Sequence, residues 1–341
     1  MSSLRPVSGT AGEILALLRE WDAADDPRPL VIETSGSTGR PKRVVLSRDA
    51  MRASALATQE RLGGPGQWVL NLPPTYVAGV QVLYRSVVAG TAPVLFAHHD
   101  DLGSAWERMN HARRYVSLVP TQLVRQLRDG FDVRDLGRYT AVLVGGGPLD
   151  PQVRAEAESM GIRVVQTYGM SETCGGCVYD GVPLEGVEIR IDDDQVLLRG
   201  PMLFDGYEGE PDRTAAAFRD GWLLTNDLGH WAEDGRLRID GRADDVIISG
   251  GVKVPAQAVA RMIHEGVAGP GVEVVGVPDP EWGERVVAVV TAMGPVSLDR
   301  VRDLVDPREW APRQLVVVPE IPLLPNGKPD REAMKRLAVD A

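Results

Sequence analysis

Lysine is nearly missing from this 341-residue chain: of its 37 basic residues only those at positions 42, 253, 328 and 335 are lysine. Arginine serves almost everywhere a solvated cation would do, so each lysine is a residue to inspect. Cysteine is scarce too. Cys174 and Cys177 form one C-x-x-C with no second pair and no histidine at zinc-finger spacing, which excludes a disulfide scaffold. Their first reading is as small packing residues, their second as a redox or metal pair. Basic charge is in deficit: Asp plus Glu number 48 and the net charge is −11, which disfavours non-specific binding to nucleic acid or anionic lipid. Long apolar runs are lacking. The longest, near Val286 to Met293, is far too short to span a bilayer, and Met1 to Pro6 leads into no apolar signal segment, so a cytoplasmic protein is expected. Repeats and low-complexity tracts are absent. What remains is ordinary globular composition, 43% hydrophobic and 25% charged, in a chain long enough for two or three domains.

Punctuation and period organise the chain. Ser8-Gly9-Thr10 can cap a helix whose Ile14, Leu17, Leu18 and Trp21 share one face. After Asp25-Asp26-Pro27, Leu30-Val31-Ile32 reads as a short buried strand running straight into a Gly/Ser/Thr loop. Strand-like runs at 68–72, 93–96, 116–119, 141–144 and 163–166 alternate with helical stretches at 121–128 and 151–160, the pattern of an α/β fold with a largely parallel sheet. From Gly181 to Asp240 frequent Gly, Pro and Asp predict antiparallel hairpins, and the boundary is placed near Gly241 to Asp244. Beyond it, helices at 256–264 and 298–305 and strands at 272–277 and 286–293 predict a small α+β domain, closed by a turn-rich loop, 322–331, that opens a helix.

Three segments at strand ends could carry chemistry. Thr34, Ser35, Gly36, Ser37, Thr38 and Gly39, followed by Arg40, Pro41 and Lys42, suit a phosphate cradle: glycines let backbone N–H groups converge, hydroxyls add donors and Lys42 adds a point charge. It is not a Walker A loop, because Pro41 stands where the second glycine is needed. Gly145, Gly146, Gly147 and Pro148 follow a strand, where open α/β sheets place ligand crevices, but Asp150 breaks the dinucleotide pattern and alone the run is a turn. In Gln166, Thr167, Tyr168, Gly169, Met170, Ser171 and Glu172, the tyrosine could stack on a purine, the serine could bond a phosphate and the glutamate could hold Mg²⁺. Read alone, that glutamate is surface charge.

Together these segments resemble the adenylate-forming acyl-CoA synthetases, the superfamily of firefly luciferase and peptide-synthetase adenylation domains. Residues 34–42 are similar to its phosphate loop and 167–172 to its Tyr-Gly-x-Thr-Glu motif. Trp222 to Gly229 is similar to its ribose-binding segment, Gly241 to Asp245 to its hinge, and Pro325 to Arg331 to its C-terminal lysine motif. The resemblance covers nearly the whole chain. It implies a large N-terminal domain, 1–241, of parallel sheets with helices and a small antiparallel part, binding ATP and the acid, and a small mobile α+β domain, 242–341. It implies that Asp227 accepts the ribose hydroxyls, Arg242 contacts the same nucleotide, Asp244 is the hinge, Glu172 holds Mg²⁺ and Lys328 is the catalytic lysine. Ser249, Gly250 and Gly251 would line a tunnel for the pantetheine arm of coenzyme A.

The expected reaction joins a carboxylate to the α-phosphate of ATP, releases pyrophosphate, and then passes the acyl group to a thiol. Segments 78–86, 117–123 and 171–180 resemble the branch of the family that activates o-succinylbenzoate in menaquinone biosynthesis. Arg85, in an apolar helix-like run, is the candidate partner for the carboxylate that is not activated, with Tyr76 and Gly79 beside it, although a snorkelling or salt-bridged arginine and core packing are nearly equal readings. The chain departs from the family in two places. Only 33 residues precede Thr34, so a wall of the acyl pocket or a dimer surface is expected to be missing, and Thr75-Tyr76 replaces an aromatic followed by histidine. The expected partners are the small acid, ATP and CoA, with no nucleic acid and no membrane insertion, and a homodimer stays open. Alternatives are a ligase for another aryl or acyl acid, a domain loading a carrier protein, and, from another class, a non-catalytic nucleotide-binding protein.

Overall fold

The computed structural model describes residues 9–34, 42–96, 101–129, 133–267, 271–292, 294–324 and 329–340. Helix α1 (Ala11–Ala23) starts where Thr10 and Glu13 cap each other's backbone, and it buries Ile14, Leu18 and Trp21 at helical spacing. Strand β1 (Leu30–Thr34) turns back as β2 (Lys42–Leu46), antiparallel from Leu30 opposite Leu46 to Thr34 opposite Lys42. The strand before the Gly/Ser/Thr segment is therefore half of a hairpin and no member of the parallel sheet. Val44 and Leu46 are buried while Arg43 and Val45 are half-buried, the alternation of a strand covered on one face.

Next come α2 (Arg48–Arg61), β3 (Gln67–Leu70), α3 (Val77–Val88), β4 (Val94–Leu95), α4 (Leu102–Glu107), β5 (Arg114–Leu118) and α5 (Pro120–Asp129). They are followed by α6 (Val133–Leu136), β6 (Ala141–Gly145), α7 (Pro151–Ser159) and β7 (Val164–Met170). The strands lie in the order β4-β3-β5-β6-β7, every neighbouring pair parallel, and β8 (Gly175–Tyr179) and β9 (Val182–Pro183) continue the sheet antiparallel. Both faces are covered, so the strands are continuously apolar. Val69, Val116, Val142 and Val144 pack with Leu102, Leu123, Leu136 and Ala157 of the helices, whereas Trp68 and Tyr115 face α2 and α3 with their rings 4.9 Å apart.

The texture then changes as the sequence predicts, to β10 (Glu188–Asp192), β11 (Gln195–Arg199), β12 (Gly206–Tyr207), α8 (Pro211–Ala216), β13 (Phe218–Arg219), β14 (Trp222–Trp231) and β15 (Leu237–Arg242). The chain divides into two compact units, one of residues 1–190 and 197–224, the other of residues 191–196 and 225–341.

In the second unit β16 (Val246–Ser249), β17 (Val252–Pro255), α9 (Ala256–Gly266), β18 (Gly271–Asp279), β19 (Gly283–Thr291), α10 (Leu298–Asp303), β20 (Gln314–Val317) and α11 (Arg331–Asp340) form an α+β arrangement. Its sheet runs β17-β16-β19-β18, with β20 parallel to β19. Successive β19 residues point to opposite faces: Val286, Ala288 and Val290 pack on the α9 side with Val259 and Ile263, and Val287 and Val289 on the α11 side with Met334 and Ala338.

Candidate active site

In the first unit Lys42 and Glu172 come together. Lys42 is the first residue of β2, opposite Thr34, and its Nζ lies 3.9 Å from Glu172 Oε1. Glu172 sits in a 3-10 turn, Ser171–Thr173, after β7. Thr173 closes that turn, its hydroxyl accepting from the Met170 N–H at 2.9 Å and donating to the Gly175 carbonyl at 2.7 Å. The turn ends on Cys174, whose φ of 52° is left-handed. Glu172 is buried, its backbone carbonyl accepting from Phe204 N at 2.9 Å. A third residue, which the sequence did not single out, completes the group: the Tyr207 hydroxyl donates to Glu172 Oε1 at 2.8 Å. Burial first, then the neighbouring Glu172 carboxylate, raises the Tyr207 phenol well above its usual range, so it stays a donor. Ser35, Gly36, Ser37, Thr38 and Gly39 lie outside the described residues.

The glycines at the ends of β6 and β7 have packing reasons of their own. A Cβ on Gly145 would fall 2.1 Å from Thr167 Oγ1, its neighbour in register, and one on Gly169 would fall 2.1 Å from the Gly175 carbonyl. Gly146 is left-handed at φ 82° and starts the loop through Gly147 and Pro148. Tyr168 stands on β7 opposite Val178, and Met170 and Ser171 are half-buried at the strand's end.

Arg85, Gly79 and Tyr76 are brought to one helix. Tyr76 is the N-cap of α3, and a Cβ on Gly79 would fall 2.1 Å from the Pro73 carbonyl, so the glycine lets the helix approach that loop. Arg85 is only 4% exposed. Its guanidinium lies over Trp68, 5.1 Å from the ring centroid, and Nη2 donates to the Tyr179 hydroxyl at 3.2 Å. Nε is buried without a hydrogen-bond partner, and no carboxylate pairs with Arg85 among the described residues. Among the described residues its contacts are therefore an aromatic ring and a hydroxyl. Cys174 and Cys177 form no disulfide with each other and both are buried, and burial pushes the Cys174 thiol upward, as suits packing residues.

In the second unit β14 and β15 set Asp227 opposite Arg242, with Arg242 Nη1 3.9 Å from Asp227 Oδ1. Asp227 is 8% exposed, and its N–H donates to Thr225 Oγ1 at 3.0 Å. Asp244 lies in the 3-10 turn Ala243–Asp245 that follows. The neighbouring Asp245 pairs with Arg331 at the start of α11, a link the sequence did not reveal. Lys328 lies outside the described residues. Leu323 and Pro329 form a β-bridge, and Asp330 N donates to the Pro322 carbonyl at 2.8 Å. Ser249 ends β16 opposite Val252, and Gly250 and Gly251 make the two-residue turn into β17, where φ of 58° and 80° gives a tight hairpin and Gly250 N donates to the Trp282 carbonyl at 2.8 Å.

In the first unit a carboxylate beside a lysine suits a charged ligand or a plain ion pair, and in the second, taken by itself, so does a carboxylate 3.9 Å from an arginine. The family comparison decides between such readings. The model of the AMP-binding enzyme family matches residues 17–208, and that of the AMP-binding enzyme C-terminal domain matches residues 263–328. The chain belongs to the AMP-binding enzyme family.

A Mycobacterium tuberculosis relative named a probable 2-succinylbenzoate–CoA ligase is 41% identical over 339 residues, 95% of this chain and 88% of that protein. Among solved structures, the o-succinylbenzoate CoA synthetase of Bacillus subtilis in complex with its acyl-adenylate intermediate matches with a TM-score of 0.77 and 27% identity, covering 90% of this chain and 68% of that one. The same enzyme with ATP and magnesium ion matches at 0.75 and 26%, covering 90% and 69%. An amide bond synthetase from Marinactinospora thermotolerans matches at 0.78 and 29%, covering 90% and 69%. No helix among the described residues is long and apolar enough to cross a membrane.

Proposed function

We propose that this chain is an ATP-dependent acid–thiol ligase that converts 2-succinylbenzoate to its CoA thioester through an acyl-adenylate, in menaquinone biosynthesis and in the cytoplasm. Two lines support the acid: the 41% identity to a relative carrying that name, and Arg85. The single observation in the molecule that carries it is a guanidinium 4% exposed with no carboxylate partner among the described residues. A buried cation without a counter-ion is costly, and the carboxylate of a dicarboxylic acid that does not react would supply one.

In the first step a carboxylate oxygen of the acid attacks the α-phosphorus of ATP, and the bond from that phosphorus to the bridging oxygen breaks to release pyrophosphate. The two anions repel by several kcal/mol unless cations intervene. In this reading Lys42 and Lys328 supply those cations, Lys42 to the phosphates together with residues 34–39, Lys328 to the reacting oxygens. Asp227 accepts from the ribose hydroxyls and Arg242 orients it. Mg²⁺ takes hard oxygen ligands and is commonly held by one or two carboxylates plus substrate phosphates. Glu172 fits that role: among the described residues both of its side-chain contacts fall on Oε1, and no cluster of three or more His, Cys, Asp or Glu offers a self-contained cage. The metal would neutralise phosphate charge as it arrives with ATP. In the second step the CoA thiolate attacks the acyl carbon, and the bond to the AMP oxygen breaks. For that step residues 242–341 turn about Asp244, withdrawing Lys328 and bringing Ser249 to Gly251 to the thiol's path.

Pyrophosphate release measured over a panel of aromatic acids with free CoA tests the reading. Release with 2-succinylbenzoate, with the CoA thioester identified by mass, is expected. Release only with monocarboxylic acids overturns the acid assignment, release without thioester overturns the thiol step, and ATP binding without release with any acid makes the protein non-catalytic.

A further inference from the structure

Glu172 receives two groups on one oxygen. The Tyr207 hydroxyl donates to Oε1 at 2.8 Å, and Lys42 Nζ stands 3.9 Å from the same atom. A contact ammonium–carboxylate hydrogen bond measures about 2.7–2.9 Å, so this ammonium is held about an ångström short of one. The ring of Tyr207 accounts for where it is held, since Nζ lies 5.6 Å from the ring centroid, within cation–π reach. The Arg213 guanidinium is 5.0 Å from the same centroid.

The strands impose the arrangement. Strand β12 pairs with β2 so that Tyr207 is opposite Val44, and Lys42 lies two residues from Val44 on the same face. Phe204 packs edge-on against the tyrosine with ring centroids 4.9 Å apart, and the Tyr207 N–H donates to Thr214 Oγ1 at 2.9 Å. Gly206, at φ 148°, admits this approach: a Cβ there would fall 2.6 Å from Thr214 Cγ2.

We propose that Tyr207 is a positioning residue that spaces Lys42 from Glu172, its hydroxyl occupying the carboxylate oxygen the ammonium would otherwise take and its ring holding the ammonium alongside. The inference rests on the adenylate-forming reading of this site. A closed Lys42–Glu172 pair would withhold two charges from the nucleotide at once, the carboxylate from the divalent cation and the ammonium from the phosphates. Held 3.9 Å apart, the two charges still offset each other in the ligand-free protein, yet no contact hydrogen bond between them has to break before they turn to ATP, and Glu172 Oε2 is left clear of the Tyr207 hydroxyl.

Calorimetric titration of ATP in the absence of any acid, repeated across a Mg²⁺ series, isolates this step from acyl chemistry. Tyr207→Phe keeps the ring and its packing on Phe204 and removes only the hydroxyl. The Mg²⁺ concentration that gives half-maximal ATP affinity is expected to rise about tenfold, the size of effect that loss of a hydrogen bond to a charged group produces. In a Lys42→Met background the same substitution should shift that concentration by less than about twofold, because no ammonium is left to close on Glu172. The absence of a shift in the single variant, or an equal shift with and without Lys42, overturns the proposal. Tyr207→Leu, which removes hydroxyl and ring together, must shift it at least as far as Tyr207→Phe, and a wild-type response from it is equally fatal. Wild-type protein that binds ATP with Mg²⁺ but releases no pyrophosphate with any acid defeats the proposed function alone, and wild-type protein that binds no ATP defeats both.

Discussion

Replacing Arg85 with methionine is expected to make the ligand-free protein more stable and the enzyme worse at a dicarboxylic acid. The guanidinium is 4% exposed and carries a full charge against Trp68 and Tyr179, with one hydrogen bond at 3.2 Å and a buried Nε left over. Taking such a charge from water costs several kcal/mol even after the protein relaxes. The contact with Trp68 returns about 2 kcal/mol when desolvated, and the bond to a neutral hydroxyl about 1.5–3 kcal/mol. The two returns together do not exceed that cost by any margin, and replacing buried charged groups with apolar ones of similar volume is often neutral or stabilising by about 1–4 kcal/mol. Methionine fills the same slot with a flexible apolar chain and a sulfur suited to the Trp68 ring.

The functional cost runs the other way. A charge-assisted bond to the second carboxylate is worth about 1.5–3 kcal/mol, so KM for 2-succinylbenzoate should rise about ten- to 150-fold. A monocarboxylic aromatic acid, having nothing for the guanidinium to hold, should be adenylated as well by the variant as by the wild type. Urea denaturation of both proteins and pyrophosphate release with both acids measure the two halves. An Arg85→Met protein less stable than wild type, or one equally impaired with both acids, would refute the reasoning and return Arg85 to a purely structural role.

Other predictions concern the second unit and the split between half-reactions. Burial raises the Glu273 carboxyl from 4.5 to about 7, so the folded protein keeps a proton there that the unfolded chain gives up near 4.5. Stability should therefore fall as pH rises from about 4.5 to 7 and level off above, by at most roughly 3 kcal/mol; Glu273→Gln should flatten that slope in denaturation curves, and an unchanged slope would exclude the assignment. Gly250→Ala meets a left-handed φ of 58° and puts a Cβ 2.8 Å from Trp282 Cε3, whereas Gly251→Ala, at φ 80°, meets open space. The first should cost more than the second, which should lose only the conformational term of about 1–2 kcal/mol, as thermal melts would show. Lys328→Ala should abolish adenylate formation yet leave thioester formation from preformed adenylate largely intact, and equal loss in both assays would contradict the division of labour.

The parallel sheet was legible because strands buried on both faces spell themselves as apolar runs between helices of recognisable period, as at 116–119 and 141–144. The β1–β2 hairpin was not. Leu30-Val31-Ile32 looks the same whether its neighbour is parallel or antiparallel, and its partner begins only beyond a seven-residue gap, at Lys42. Asp227 and Arg242 were each named from sequence, but their meeting depends on a ladder with a register shift between Leu228 and Gly229, and spacing does not reveal a bulge. Tyr207 escaped notice for a related reason. It stands in a two-residue strand, 35 positions from Glu172, and only the pairing of β12 with β2 gives it a role.

Motif glycines were readable for a different cause, which bears on how this site is built. Gly145 was read as part of a turn at a strand end and Gly169 as one position of the 167–172 motif, and the structure shows both letting backbone and side chain approach each other, at distances no Cβ tolerates. Strands β6 and β7 lie in register through Gly145 and Thr167, close enough that the loops beyond them leave the sheet side by side. The loop after β7 is the turn that carries Glu172 to Lys42 and Tyr207. Substituting either glycine would thus push apart the strand ends that position the carboxylate, and the chemistry would fail through geometry before any contact with nucleotide was lost. Packing restricts Gly145 and Gly169 through neighbours a Cβ would strike, whereas Tyr207 has its place only through its partners Glu172, Lys42 and Phe204.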